Sequence, residues 1–147
     1  MLPTLNGRIQ TRLLALGTIG FIVALVITPV LPTGSQPLGQ TYRVTLSVLL
    51  ATVLIGVLWE LLYHFLQQFR WEKDWPTLFG FVTIVNEGAL MWFLVHSTTL
   101  VLPRDLHPSP VAFLIQFIVT WMVFWLIVNG PMRLVFHRWR LQGGRFL

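Results

Sequence analysis

Four apolar runs, at positions 13–31, 44–66, 77–102 and 111–130, take up more than half of the 147 residues and dictate that this chain folds in lipid. A bilayer core of about 30 Å is crossed by roughly 20 apolar residues in helical form, and each run reaches or approaches that length. The pattern therefore predicts an all-α integral membrane protein built as a four-transmembrane-helix bundle. Charged residues make up only 10% of the chain and mean hydropathy is +0.73, which excludes an ordinary soluble domain. The connections are about a dozen residues or fewer, too short for a separate soluble core, so 1–147 reads as a single membrane domain. Without cysteine there are no disulfides, thiolate metal sites or thiol nucleophiles.

The net charge of +5 raises nucleic acid as a partner, but the basic residues flank the apolar runs and form no basic domain. Arg8 and Arg12 precede the first run, Arg70 and Lys73 lie between the second and third, and Arg133, Arg138, Arg140 and Arg145 follow the fourth, whereas the alternate connections hold only Arg43 and Arg104. Eight against two is a positive-inside asymmetry, which predicts both termini and the middle loop in the cytoplasm. Anionic headgroups at that face are the expected lipid partners. The expected location is a bacterial inner membrane or an internal energy-transducing membrane. The first run ends in Thr28-Pro29-Val30-Leu31-Pro32 without a small-x-small cleavage site and is expected to remain attached.

Two further patterns organise the chain. Val30-Leu31-Pro32 with Pro37 is echoed by Val101-Leu102-Pro103 with Pro108, which suggests two related helical hairpins, although proline after an outer helix end is common in any case. Both halves end in aromatic-basic segments. In the first, Arg70, Trp71, Glu72, Lys73, Asp74 and Trp75 set aromatics beside alternating charges and form a candidate partner-binding loop. In the second, the tail 131–147 has Met132, Val135, Phe136 and Trp139 at helical spacing, with Arg133, Arg138 and Arg140 beside them. It reads as a short amphipathic segment on the cytoplasmic leaflet.

Within the runs, two carboxylates stand out. At about 1.5 Å per residue, Glu60 lies roughly 10 Å and Glu87 roughly 15 Å from the cytoplasmic border, in the same leaflet. A charge at that depth costs on the order of 2.5 to 3.5 kcal/mol, so each needs a partner, a proton or a wet cavity. Thr52, Gly56, Glu60 and His64 recur every four residues, and Gly80, Thr83 and Glu87 share a face of the next helix. Facing stripes would bring Glu60, His64 and Glu87 together, with Asn86 turned by about 100° toward another neighbour. His96 belongs near the opposite border, where Gln116 lies at similar depth.

Three chemistries suit Glu60, His64, Asn86 and Glu87: a polar contact that fixes helix register, a protonatable relay, or a metal or haem site. The third is poorly supplied, because paired-metal bundles use Glu-x-x-His with further carboxylates, and His64 has no second histidine at its depth. No metal or other cofactor is expected. Trp71, Trp75 and Trp139 suit an interfacial belt, and Trp59, Trp92, Trp121 and Trp125 suit helix packing better than a pigment pocket. The chain has no His-Glu-x-x-His, Gly-x-Ser-x-Gly or phosphate-binding loop, and it names no catalytic residue. The sequence thus points to an accessory, anchor or scaffold subunit in a homo-oligomer or with other protein subunits. A small proton- or cation-coupled transporter using Glu60 and Glu87 is the alternative.

Overall fold

The computed structural model describes residues 4–69 and 77–136, together with Leu141 and Arg145. The described residues form helices and no strands: α1 at Leu5–Val30, α2 at Leu38–Gln67, α3 at Thr77–Ser97, α4 at Pro110–Asn129 and a short α5 at Pro131–Val135, with a 3-10 turn at Arg104–Leu106. Among the described residues, three stretches are long and apolar enough to cross a membrane: Leu5–Val30, Leu38–Gln67 and Pro110–Val135. Helix α3 has 21 residues. That gives a length of about 30 Å, with Asn86 and Glu87 interrupting its apolar run near the middle.

Helix α1 begins well before position 13, because the Thr4 hydroxyl accepts the Gly7 N–H at 3.1 Å and caps it. Arg8 and Arg12 are therefore helical residues continuous with the apolar run. The helix is not uniform: Arg12–Leu16 is a π-helical turn between regular α-helical stretches. Such a turn accommodates one extra residue and rotates the side chains before it by about 100° relative to those after it. Arg8 lies before this turn and Arg12 opens it.

Other ends shift for local reasons. Helix α3 stops at Ser97 and not at 102, because the Thr98 hydroxyl donates to the Leu94 carbonyl at 2.6 Å and accepts the Leu100 N–H at 3.3 Å, replacing main-chain bonds. The carbonyl of Pro37 accepts the N–H groups of Gln40 and Thr41, starting α2 ahead of position 44. Gly130, at φ −107° and ψ −100°, turns the chain between α4 and α5. A side chain there would crowd the Leu126 carbonyl at 2.9 Å. In α5, Met132 is buried and Arg133 is exposed, donating to the Asn129 side chain at 2.8 Å. Helix α5 ends at Val135, so the expected amphipathic tail is a single described turn. Arg138, Trp139 and Arg140 lie outside the described residues.

Sequential helices pack on one another, and α1 also closes against α4. One apolar core joins α2, α3 and α4 through Val44, Val48, Met91, Val95, Phe113, Phe117 and Trp121, while a second joins α1 to α2 through Leu16, Ala24, Leu49 and Val53. Gly20 lets α1 approach both partners, since a Cβ there would meet Leu49 Cδ1 at 2.8 Å and Thr120 Cγ2 at 3.3 Å. Meanwhile Ile22, Val26, Leu50, Leu54, Leu58, Val85 and Phe93 point outward. A continuous apolar exterior of this kind is matched by acyl chains and would be insoluble in water.

The two ends of the molecule differ in what gathers there. Arg145 donates to the Thr4 hydroxyl at 3.2 Å, returning the C-terminal segment to the start of α1. At the other end, the Ser109 hydroxyl caps α4 by accepting the Ala112 N–H and donates to the Pro32 carbonyl at 3.1 Å, joining the two proline-rich connections.

Candidate functional site

Helix α2 carries a glycine, Gly56, one turn before Glu60, and this gap admits a side chain from α1. Arg12 fills it. A Cβ built on Gly56 would overlap the Nε and Cζ atoms of Arg12, so the guanidinium lies directly across the α2 backbone. From there Nη1 donates to Glu60 Oε1 at 3.0 Å and to Glu87 Oε1 at 3.1 Å, and Nη2 pairs with Glu87 Oε2. Planar, two-pronged pairing of this sort suits arginine and is beyond the reach of a lysine ammonium. One guanidinium thus ties α1, α2 and α3 together.

Burial is deep. Arg12 is 5% and Glu87 2% exposed, while Glu60 sits nearer the edge. One cation between two carboxylates leaves a formal charge of −1. The imbalance is offset by Arg8, one turn earlier on α1, which lies in the field of Glu60 and donates to Gln67 Oε1 at 2.8 Å. Arg8 and Arg12 thereby align with Gln67 and Glu60, and the set is formally neutral. Removing two charges from water costs several kcal/mol per ion, so a buried cluster persists only where pairing and hydrogen bonds recover that cost.

Of the residues singled out in the sequence, Glu60 and Glu87 meet on this guanidinium. His64 does not join them: its Nδ1 is buried without a hydrogen-bond partner. The four-residue repeat explains the divergence, since each step of four advances the face by about 40° and the stripe from Thr52 to His64 wraps through about 120°. Asn86 is exposed and comes into polar range of Tyr63, whose ring stacks on Trp59 at 5.5 Å. The expected neighbourhood of His96 and Gln116 also divides. His96 stacks on Trp92 at 4.2 Å and pairs with the Trp92 carbonyl, while Gln116 donates across to the Thr45 carbonyl at 2.7 Å. Arg70, Trp71, Glu72, Lys73, Asp74 and Trp75 lie outside the described residues.

Arg12 itself is the site residue that the positive-inside reading leaves outside the bilayer. Two signals in the sequence point to it: carboxylates within apolar runs call for a partner, a proton or a wet cavity, and Gly56 provides the space for a side chain. The π-helical turn that it opens has no comparable signature in Arg12-Leu13-Leu14-Ala15-Leu16.

Chemically, the cluster can hold three helices in a fixed register. Among the described residues no group of three or more histidine or acidic side chains is placed to hold a metal ion. No family model, curated protein or solved structure matches this chain.

Proposed function

We propose that the chain is a small multi-pass subunit that anchors or scaffolds a larger membrane assembly, with the Arg12–Glu60–Glu87 cluster as an internal lock. The observation that carries this reading is the single guanidinium engaging both carboxylates across Gly56. Paired charges and the hydrogen bonds they share hold the three helices in one register, and a neutral amide at either carboxylate position keeps the shape and part of that bonding. The cavity one turn from the cluster, lined in part by Leu16, Thr52, Gln116 and Thr120, measures about 10 Å³, room for a water molecule and not for an organic solute.

In this proposal α3 is the fourth crossing. Pairing Glu87 with Arg12 removes the largest obstacle to placing α3 in lipid. Four crossings also put both chain ends on one side, in keeping with the contact of Arg145 with Thr4, and the excess of Lys and Arg assigns that side to the cytoplasm. The membrane is a bacterial plasma membrane or an internal energy-transducing one. Anionic lipids face the basic ends, and the loop 70–75 faces a protein partner or a second copy.

A proton- or cation-coupled transporter is the second reading, favoured by one observation: Thr41, Thr45, Thr52, Gln116 and Thr120 are all buried and extend polar groups beyond the cluster. Purification of the tagged chain in mild detergent tests the first reading by the subunits that accompany it. Liposome flux of the wild type, Glu60→Gln and Glu87→Gln separates the two. Assembly retained by both variants without wild-type flux supports the scaffold. Robust wild-type proton or cation flux abolished by either substitution overturns it.

A further inference from the structure

One turn beyond Arg12 on α1 and one turn before Gly56 on α2, the helices line a small cavity. Leu16, Val48, Leu49, Thr52, Gln116, Phe117, Thr120 and Trp121 line it, and its volume is about 10 Å³. Thr120 is 7% exposed, and its Oγ1 is buried without a hydrogen-bond partner. This sets Thr120 apart from the other threonines of the described helices. Thr18, Thr28, Thr41, Thr45, Thr52 and Thr98 each return their hydroxyl to a carbonyl four residues earlier, as threonines in membrane helices commonly do. Thr120 does not follow that pattern, and a buried hydroxyl left unpaired is costly.

We infer that this cavity is a binding site for one ordered water molecule, held by Thr120 with Thr52 and Gln116. The size is right: about 10 to 15 Å³ of free space accommodates one water, and a buried water takes two to four polar partners. The three side chains provide them. Thr120 has a hydroxyl proton to donate. Thr52 Oγ1 gives its proton to the Val48 carbonyl at 2.8 Å and retains lone pairs, and the Gln116 amide, which spends one N–H on the Thr45 carbonyl, has a second. A bare cation is a poor fit, because sodium or calcium requires more oxygen ligands than three side chains among five apolar ones supply. The water joins α2 to α4 through hydrogen bonds and supplies a polar step between the Arg12 cluster and the Gln116–Thr45 contact.

The test uses the full chain in lipid nanodiscs. Water-to-methyl magnetisation transfer in NMR is measured at Thr52 and Thr120, with Thr120→Val and Thr120→Ser as variants. The wild type should show transfer from a slowly exchanging water to both methyl groups. Thr120→Val, which keeps the shape and loses the hydroxyl, should abolish transfer at Thr52 and lower the thermal midpoint by about 2–4 °C, whereas Thr120→Ser should retain transfer at Thr52. A dry cavity gives the opposite sign. There the valine replaces an unpaired hydroxyl and raises the midpoint, and that result, or absence of transfer in the wild type, overturns the assignment.

Discussion

In one region Arg8, Arg12, Glu60, Gln67 and Glu87 connect α1, α2 and α3 through charge-assisted bonds; in the other, Val44, Val48, Val95, Phe113, Phe117 and Trp121 connect α2, α3 and α4 by apolar contact, with one hydrogen bond from Gln116 to the Thr45 carbonyl beside it. The difference matters more in lipid than in water. Acyl chains solvate an apolar side chain about as well as a neighbouring helix does, so close packing yields little preference for one register over another. Charged groups have no such alternative. A guanidinium in hydrocarbon is stable in the one arrangement that presents it with carboxylates, and helix register follows from that arrangement.

The largest effect that distinguishes the two regions is removal of the shared cation. Arg12→Leu leaves Glu60 and Glu87 buried without their partner and should destabilise the fold by about 3–5 kcal/mol, measured by reversible unfolding in detergent micelles. Replacing Arg12, Glu60 and Glu87 together by leucine should recover most of that loss, since the desolvation cost disappears with the charges. A single Arg12→Leu change costing under about 1 kcal/mol would put the cluster on a par with an exposed surface pair and dissolve the contrast.

Smaller, and more diagnostic of geometry, is Gly56→Ala. The added methyl group must displace the Arg12 guanidinium, and overpacking of this kind costs about 1–3 kcal/mol. The penalty belongs to the pair. In an Arg12→Ala background the space is vacant and Gly56→Ala should cost close to nothing, giving a coupling energy close to the full single-variant effect in a double-mutant cycle. Additive penalties would mean that Gly56 serves some other close approach.

These two residues also mark where the sequence could be read and where it could not. Apolar length announces the membrane helices, and the depth of Glu60 and Glu87 announces that they need a partner. The identity of that partner is obscured, because a hydropathy sum places Arg12 at a border while its long side chain reaches inward. The π-helical turn that Arg12 opens has no signature in the residues Arg12-Leu13-Leu14-Ala15-Leu16. A four-residue spacing is not a straight stripe, since the helix carries it around by about 40° per step, and His64 has its Nδ1 buried without a hydrogen-bond partner. The end of α3 is hidden because apolar residues resume at Leu100, Val101 and Leu102 after Ser97-Thr98-Thr99, and the stop comes from one hydroxyl at Thr98.

The smallest predicted effect lies on the same face of α3 as the cluster. Glu87, Met91 and Val95 follow one another at four-residue spacing, exposed by 2%, 1% and 0%, yet the first is held by charge and the next two by packing. Met91→Leu changes shape at nearly constant volume and should cost less than about 1.5 kcal/mol in the same unfolding measurement. It should also add to Arg12→Leu without coupling, because Met91 shares neither a hydrogen bond nor a charge with the cluster. A coupling energy above about 0.5 kcal/mol would show that the position of α3 set by Glu87 is transmitted into the apolar core. The two regions would then form one cooperative unit, and the charge cluster would govern packing a full turn away.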